Sequence, residues 1–167
     1  MCFLEITKIK KIQTVGMHCK TSLANNKTKK LWTTFMPRRN EITNKLNENF
    51  LSIQVYPPNL TMADFTTNTV YETYAAVEVD KFSDIPGGMQ PFTIPEGLYA
   101  VFEHKGTSAD FEKTANFIYG EWFSTSGFIL DKRPHFEIMD KRYLGPDHPD
   151  SIENVYIPIT SITQKRT

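Results

Sequence analysis

Glu137 is the residue most open to a chemical reading. It stands in His135-Phe136-Glu137-Ile138-Met139, an alternating run that reads as a strand. Alternation puts it opposite Phe136 and Ile138, on the face shared with His135 and Met139. A carboxylate taken out of water there needs a partner. Arg133, His135 or a cationic ligand would each supply one. Glu153 opens the last apolar run and is either an exposed strand end or a second acid. Trp122 closes a helical stripe, Phe111, Ala115, Ile118 and Trp122, at i, i+4, i+7 and i+11. Its indole suits core packing or stacking on a flat or cationic molecule. Tyr74, Tyr99 and Tyr156 carry rings that pack and hydroxyls that bond. Alternation sets Tyr99, Val101 and Glu103 on one face and Leu98, Ala100, Phe102 and His104 on the other, and leaves open which face meets a ligand. A carboxylate in an aromatic cleft is chemistry for binding a bulky, flat or cationic organic molecule.

Other chemistries find less support. His18, His104, His135 and His148 are scattered, with no HExxH pattern, and Cys2 and Cys19 show no ligand spacing, so no metal is expected. There is no GxSxG and no glycine-rich phosphate loop, which leaves serine hydrolysis and nucleotide cofactors without a motif. Lys plus Arg equals Asp plus Glu, 19 each, so no whole-surface field draws nucleic acid or membrane. The cluster of Lys27, Lys29, Lys30, Arg38 and Arg39 reads as a solvated face. No secretion signal or membrane-length apolar run is visible, and the expectation is a soluble cytoplasmic protein.

The elements that must position these residues follow from periodicity and breakers. Strands are expected over 3–10, 11–20, 50–56 and 70–79, with a helix from Lys27 to Pro37. Gly16, inside a strand, marks a bulge or a close backbone contact. Residues 84–91, with Pro86-Gly87-Gly88, read as a linker. A second strand-helix-strand-strand series follows: a strand over 98–104, a helix ended near Gly127, and strands over 135–143 and 153–160. A gap-free shift of 86 positions lays Val15 on Val101, His18 on His104 and Phe50 on Phe136. The expectation is one domain over 1–167, with repeat halves of about 1–83 and 92–162. Its class is α+β: duplicated βαββ units with pseudo-twofold symmetry, an antiparallel sheet packed with helices around a central cleft.

Four segments in order, IPEGLYAVFEHKG, IYGEWFSTSGF, PHFEIMD and ENVYIPI, resemble the GyrI-like small-molecule-binding domain, also called the AraC-type effector-binding domain, of SOUL-like fold. The resemblance covers residues 92–160 in motif and the front half in element order. It implies a cleft that takes hydrophobic, often cationic compounds without a cofactor. It further implies, as partners, DNA gyrase or a transcription regulator. No helix-turn-helix module precedes the pattern, so direct DNA contact is not expected. A subgroup resembles hydrolases of cyclopropane-containing toxins that use tryptophan and glutamate. The family's positions fall on Glu137, Glu153 and Trp122, which would be the catalytic set of an enzyme; a binding protein is the preferred reading. Met139 stands where the family often has an aromatic, and its thioether can still pack on a ring. The resulting ligand-binding set is Glu137, Trp122, Tyr156, Tyr99, Tyr74, Glu153, Phe102 and Met139.

Overall fold

Alternating apolar residues make strands wherever one side can be buried, and this chain builds nearly everything on one sheet. The computed structural model describes residues 2–165. The first half runs β1 (Cys2–Ile9), β2 (Ile12–Thr21), α1 (Thr28–Phe35), β3 (Phe50–Val55) and β4 (Tyr71–Glu78). The second runs β5 (Gln90–Ile94), β6 (Gly97–Lys105), a long helix, β7 (Phe128–Leu130), β8 (His135–Met139) and β9 (Ile152–Ser161). That helix starts as α2 (Phe111–Asn116), passes through a π-helical stretch (Phe117–Trp122) and ends as α3 (Phe123–Ser126). Gly127, at φ 79°, supplies the left-handed cap that its position foretold. A last turn, α4 (Ile162–Lys165), follows β9. No helix among the described residues is long and apolar enough to cross a membrane.

The strand order is β1-β6-β9-β8-β3-β4-β2-β5, with β7 also paired to β9, and every pairing is antiparallel. Exchanging β1 with β5, β2 with β6, β3 with β8 and β4 with β9 reverses this order and leaves it unchanged, which is the pseudo-twofold of a duplicated unit. The halves meet where β3 pairs β8, and the middle of that five-pair ladder is Ser52 opposite Glu137. Lys10 and Lys11 alone join β1, at one end of the order, to β2 near the other, so the sheet curls until its ends approach.

Each face of the sheet has its own core. On one face Val15, Ala75 and Val77 pack under Leu31 and Phe35 of α1, while Ala100, Phe102, Val155 and Ile157 pack under Ile118 of the long helix. On the other face Leu51, Ile53, Tyr99 and Phe136 are enclosed by the curl, with Ile9, Ile12 and Ile94 from the strands at its ends.

Three expectations need correction, the simplest being the strand over 135–143, which ends at Met139. The shift of 86 positions places Val15, on the helix face, over Val101, which pairs with Tyr156 and faces the other way. It likewise equates His18, exposed and stacked on Tyr74, with His104, buried against Thr114 of α2. Side chains alternate, so only an odd shift keeps faces matched. The element order repeats; those identities do not mark its register. The 84–91 stretch also ends sooner than expected, because Gln90 and Pro91 already pair with Gly16 and Val15 as the start of β5. β5 and the three-residue β7 carry too little alternation to stand out in the sequence.

Gly16 has a packing reason: a Cβ built there would overlap the carbonyl of Ala75 on β4. Backbone cannot yield as a flexible side chain does, so Gly16→Ala is expected to destabilise the chain by about 1–3 kcal/mol in chemical denaturation.

Candidate functional site

The cavity lies on the helix face, between the long helix and the loop joining β3 to β4, with a volume of about 1010 Å³. Its floor is the centre of the sheet: Gln54 of β3, His135 and Glu137 of β8, Val155 and Ile157 of β9. Phe111, Ala115 and Tyr119 form the helix wall, and Leu60, Met62 and Phe65 the loop wall. Tyr56 and Tyr71, where that loop leaves and rejoins the sheet, complete the ring of aromatics. Tyr119 sits inside the π-helical stretch, a helix form that recurs at functional sites.

Glu137 is the chemical centre. Gln54 Nε2 donates to its Oε2 at 2.8 Å. Among the described residues no cation lies within ion-pairing distance of Glu137 or Glu153. The Glu137 side chain is half-buried and faces the cavity. Burial, joined by the nearby charge of Glu153, raises its pKa far above the carboxylate range, and the Gln54 bond offsets only part of that. Burial raises Glu153 too, so the two acids titrate as a pair. His135 is pushed the other way, down to about 3, because burial penalises its cation. It is therefore a neutral imidazole, 3.3 Å from the Tyr119 hydroxyl and edge-on to Tyr56 at 4.8 Å between ring centroids.

The sequence and the fold have counterparts in known proteins. Residues 4–160 match the GyrI-like small molecule binding domain. The chain belongs to this family. It is 32% identical over 146 residues to the transcriptional regulator BrlR of Pseudomonas aeruginosa, spanning 87% of this chain and 51% of that protein. The chain thus spans about half the length of the curated relative. Its fold superposes on SAV2435, solved bound to tetraphenylphosphonium, with a TM-score of 0.70 at 13% identity, covering 96% of this chain and 95% of that one. The EcmrR C-terminal domain gives 0.69 at 14% identity, covering 97% and 100%. The GyrI-like fold, a mostly antiparallel sheet with two helices, is shared throughout.

The structure divides the residues singled out from the sequence. Glu137 lines the cavity, as do three neighbours the sequence did not single out for it: Tyr56, Tyr71 and Tyr119. Glu153 shares the face of Glu137 but lies outside the lining, as do Met139 and Phe102. Phe102 is buried under the helix and Met139 nearly so. Trp122 is also outside the lining: its indole packs on Phe3, Phe102, Phe123 and Phe128. The π-helical stretch ends at Trp122, and its wider turn departs from the 3.6-residue period on which the expected stripe relied. Tyr99, Tyr156 and Tyr74 belong to the core on the opposite face. Tyr99 donates its hydroxyl to the Pro134 carbonyl at 2.7 Å, and Tyr74 stacks on His18. Arg133, a sequence candidate for neutralising Glu137, instead holds the Leu98 and Ile159 carbonyls and lies 4.7 Å from the Tyr99 ring centroid.

Two outcomes follow from this placement. Trp122→Ala removes packing on the β1 side and is expected to cost roughly 2–4 kcal/mol of stability while changing cavity affinity less than about twofold; denaturation and dye titration measure both. A raised acid pKa means the folded chain keeps a proton that the unfolded chain releases above 4.5. Stability from this group is full below that pH and is lost as pH rises towards about 8. Urea melts at successive pH values should show this fall, and Glu137→Gln should flatten it by more than about 1 kcal/mol.

Proposed function

We propose that this chain binds hydrophobic organic cations, with Glu137 as the counter-charge and the aromatic ring of the cavity as the apolar surface. The observation that carries this reading is a half-buried carboxylate facing the cavity, with no ion-paired cation among the described residues. Such a group is costly in the empty protein and becomes favourable when a cation arrives. Tyr56, Phe65, Tyr71 and Tyr119 present ring surface to a positive charge, which aromatic faces attract. The cavity has room for a drug-sized molecule. Tetraphenylphosphonium, the ligand of the similar SAV2435 structure, is such a cation.

The biological role follows by the same reasoning. BrlR is a transcriptional regulator of about twice the length, and the chain here serves as the effector-sensing portion of such a regulator or as a partner to one. Action on DNA gyrase, or hydrolysis of strained rings, draws on the family resemblance alone. The hydrolytic version also needs an indole beside Glu137, and Trp122 lies outside the cavity lining.

Calorimetric titration with tetraphenylphosphonium tests the reading. Wild type is expected to bind, and Glu137→Gln to bind at least about tenfold more weakly. Affinity should climb as pH rises from 6 towards 9, because a bound cation favours the ionised carboxylate and expels its proton. Equal affinity in the two proteins, flat with pH, would remove Glu137 from recognition.

A further inference from the structure

The cavity floor carries more polar chemistry than a simple lipophilic cation uses. His135 is 94% buried, at 6% exposure, yet it lines the cavity. Its Nδ1 faces the Tyr119 hydroxyl at 3.3 Å, and its Nε2 has no partner among the described residues. Among those residues the one sealed side-chain nitrogen or oxygen without a partner is Arg133 Nη1. The Nε2 of His135 is therefore reached from the cavity rather than shut into apolar packing. The same holds for the hydroxyls of Tyr56 and Tyr71, which also lack partners among the described residues and line the cavity. Gln54 satisfies one oxygen of Glu137, and no other side chain among the described residues donates to that carboxylate.

These groups have a fixed layout. His135 and Glu137 are two residues apart on β8, on the same face, which places their backbones about 7 Å apart along the strand. Ser52 and Gln54 oppose them on β3 and hold that spacing. A neutral imidazole bonded through one nitrogen presents the other as donor or acceptor, depending on which way the Tyr119 proton points. It adds no positive charge beside the cation site. A cation without hydrogen-bonding groups would cover His135 Nε2 and leave it unpaired, which costs binding free energy.

We propose that the ligand class of this cavity is a protonated amine on an aromatic frame with a second polar group, the ammonium N–H donating to Glu137 and the second group bonding His135 Nε2. The inference rests on the cation-binding reading above and narrows it. Ammonium hydrogen bonds to a carboxylate are directional and charge-assisted, whereas a quaternary or phosphonium centre makes none. The second contact rejects analogues that lack the polar group, because they strand a buried nitrogen.

Four probes test this by calorimetry: an aminomethyl-naphthol with its hydroxyl on the far ring, the matching aminomethylnaphthalene, the N-trimethylated naphthol, and tetraphenylphosphonium. Wild type is expected to prefer the aminomethyl-naphthol over each of the two naphthalene analogues by about five- to tenfold. In His135→Phe the hydroxyl preference should shrink below about twofold while the ammonium preference stays. The histidine ring nitrogens, followed by NMR in the unmutated protein, give a second readout. The His135 Nε2 resonance should move with the naphthol and stay with the deoxy analogue. Equal affinities for the three naphthalene probes, with tetraphenylphosphonium still bound, overturn this inference and leave the cation site standing. Failure of all four to bind overturns both.

Discussion

A carboxylate without a counter-cation, held at the middle of the sheet, is the constraint around which this protein is arranged. Ionised and empty, it would be an unpaired charge in a poorly solvated place. The chain relieves this in two ways that the structure makes visible. Gln54 donates one hydrogen bond, and the carboxyl holds its proton well above the usual range. Both are partial measures, and both leave the group able to meet a ligand. An Arg or Lys paired to Glu137 would have neutralised its charge. Arg133 lines the cavity too, but its guanidinium bonds the Leu98 and Ile159 carbonyls and makes no ion pair with Glu137.

Strand alternation is what separates support from function. On β8, Phe136 is fully buried in the core enclosed by the curl, while its neighbours His135 and Glu137 face the cavity. The same partition runs through β9, where Tyr156 joins one core and Val155 and Ile157 the other. Rigid, double-sided packing therefore fixes the floor of the site, and the more adaptable walls come from the helix and from the loop carrying Leu60, Met62 and Phe65. Unbranched Met62, with its thioether, suits a wall that meets ligands of varied shape.

Much of this was legible in the residues. The order of strands and helices, the stop at Gly127, the close approach at Gly16 and the face of Glu137 all follow from local rules of periodicity and steric room. What sequence could not supply was which sheet face carries the cavity. Tyr74, Tyr99 and Tyr156 were singled out and Tyr56 and Tyr71 were not, because an aromatic packs equally well in a core or a cavity wall. The curl decides between them, and it is a property of the β1–β2 connection and the whole strand order rather than of any local motif. Trp122 was misplaced, and Tyr119 passed over, for a different reason. The wider turn of the π-helical stretch changes the helical phase, and a stripe counted at 3.6 residues per turn drifts off its face.

The centre of the β3–β8 ladder joins two halves of similar build but unlike chemistry: Ser52 from one, Glu137 from the other. A duplicated scaffold offers two equivalent floor positions, and only one of them is acidic. The floor is thus chemically asymmetric although its backbone is nearly symmetric. Duplication built a nearly symmetric backbone, and one side-chain difference at its axis makes the two ends of the floor unlike.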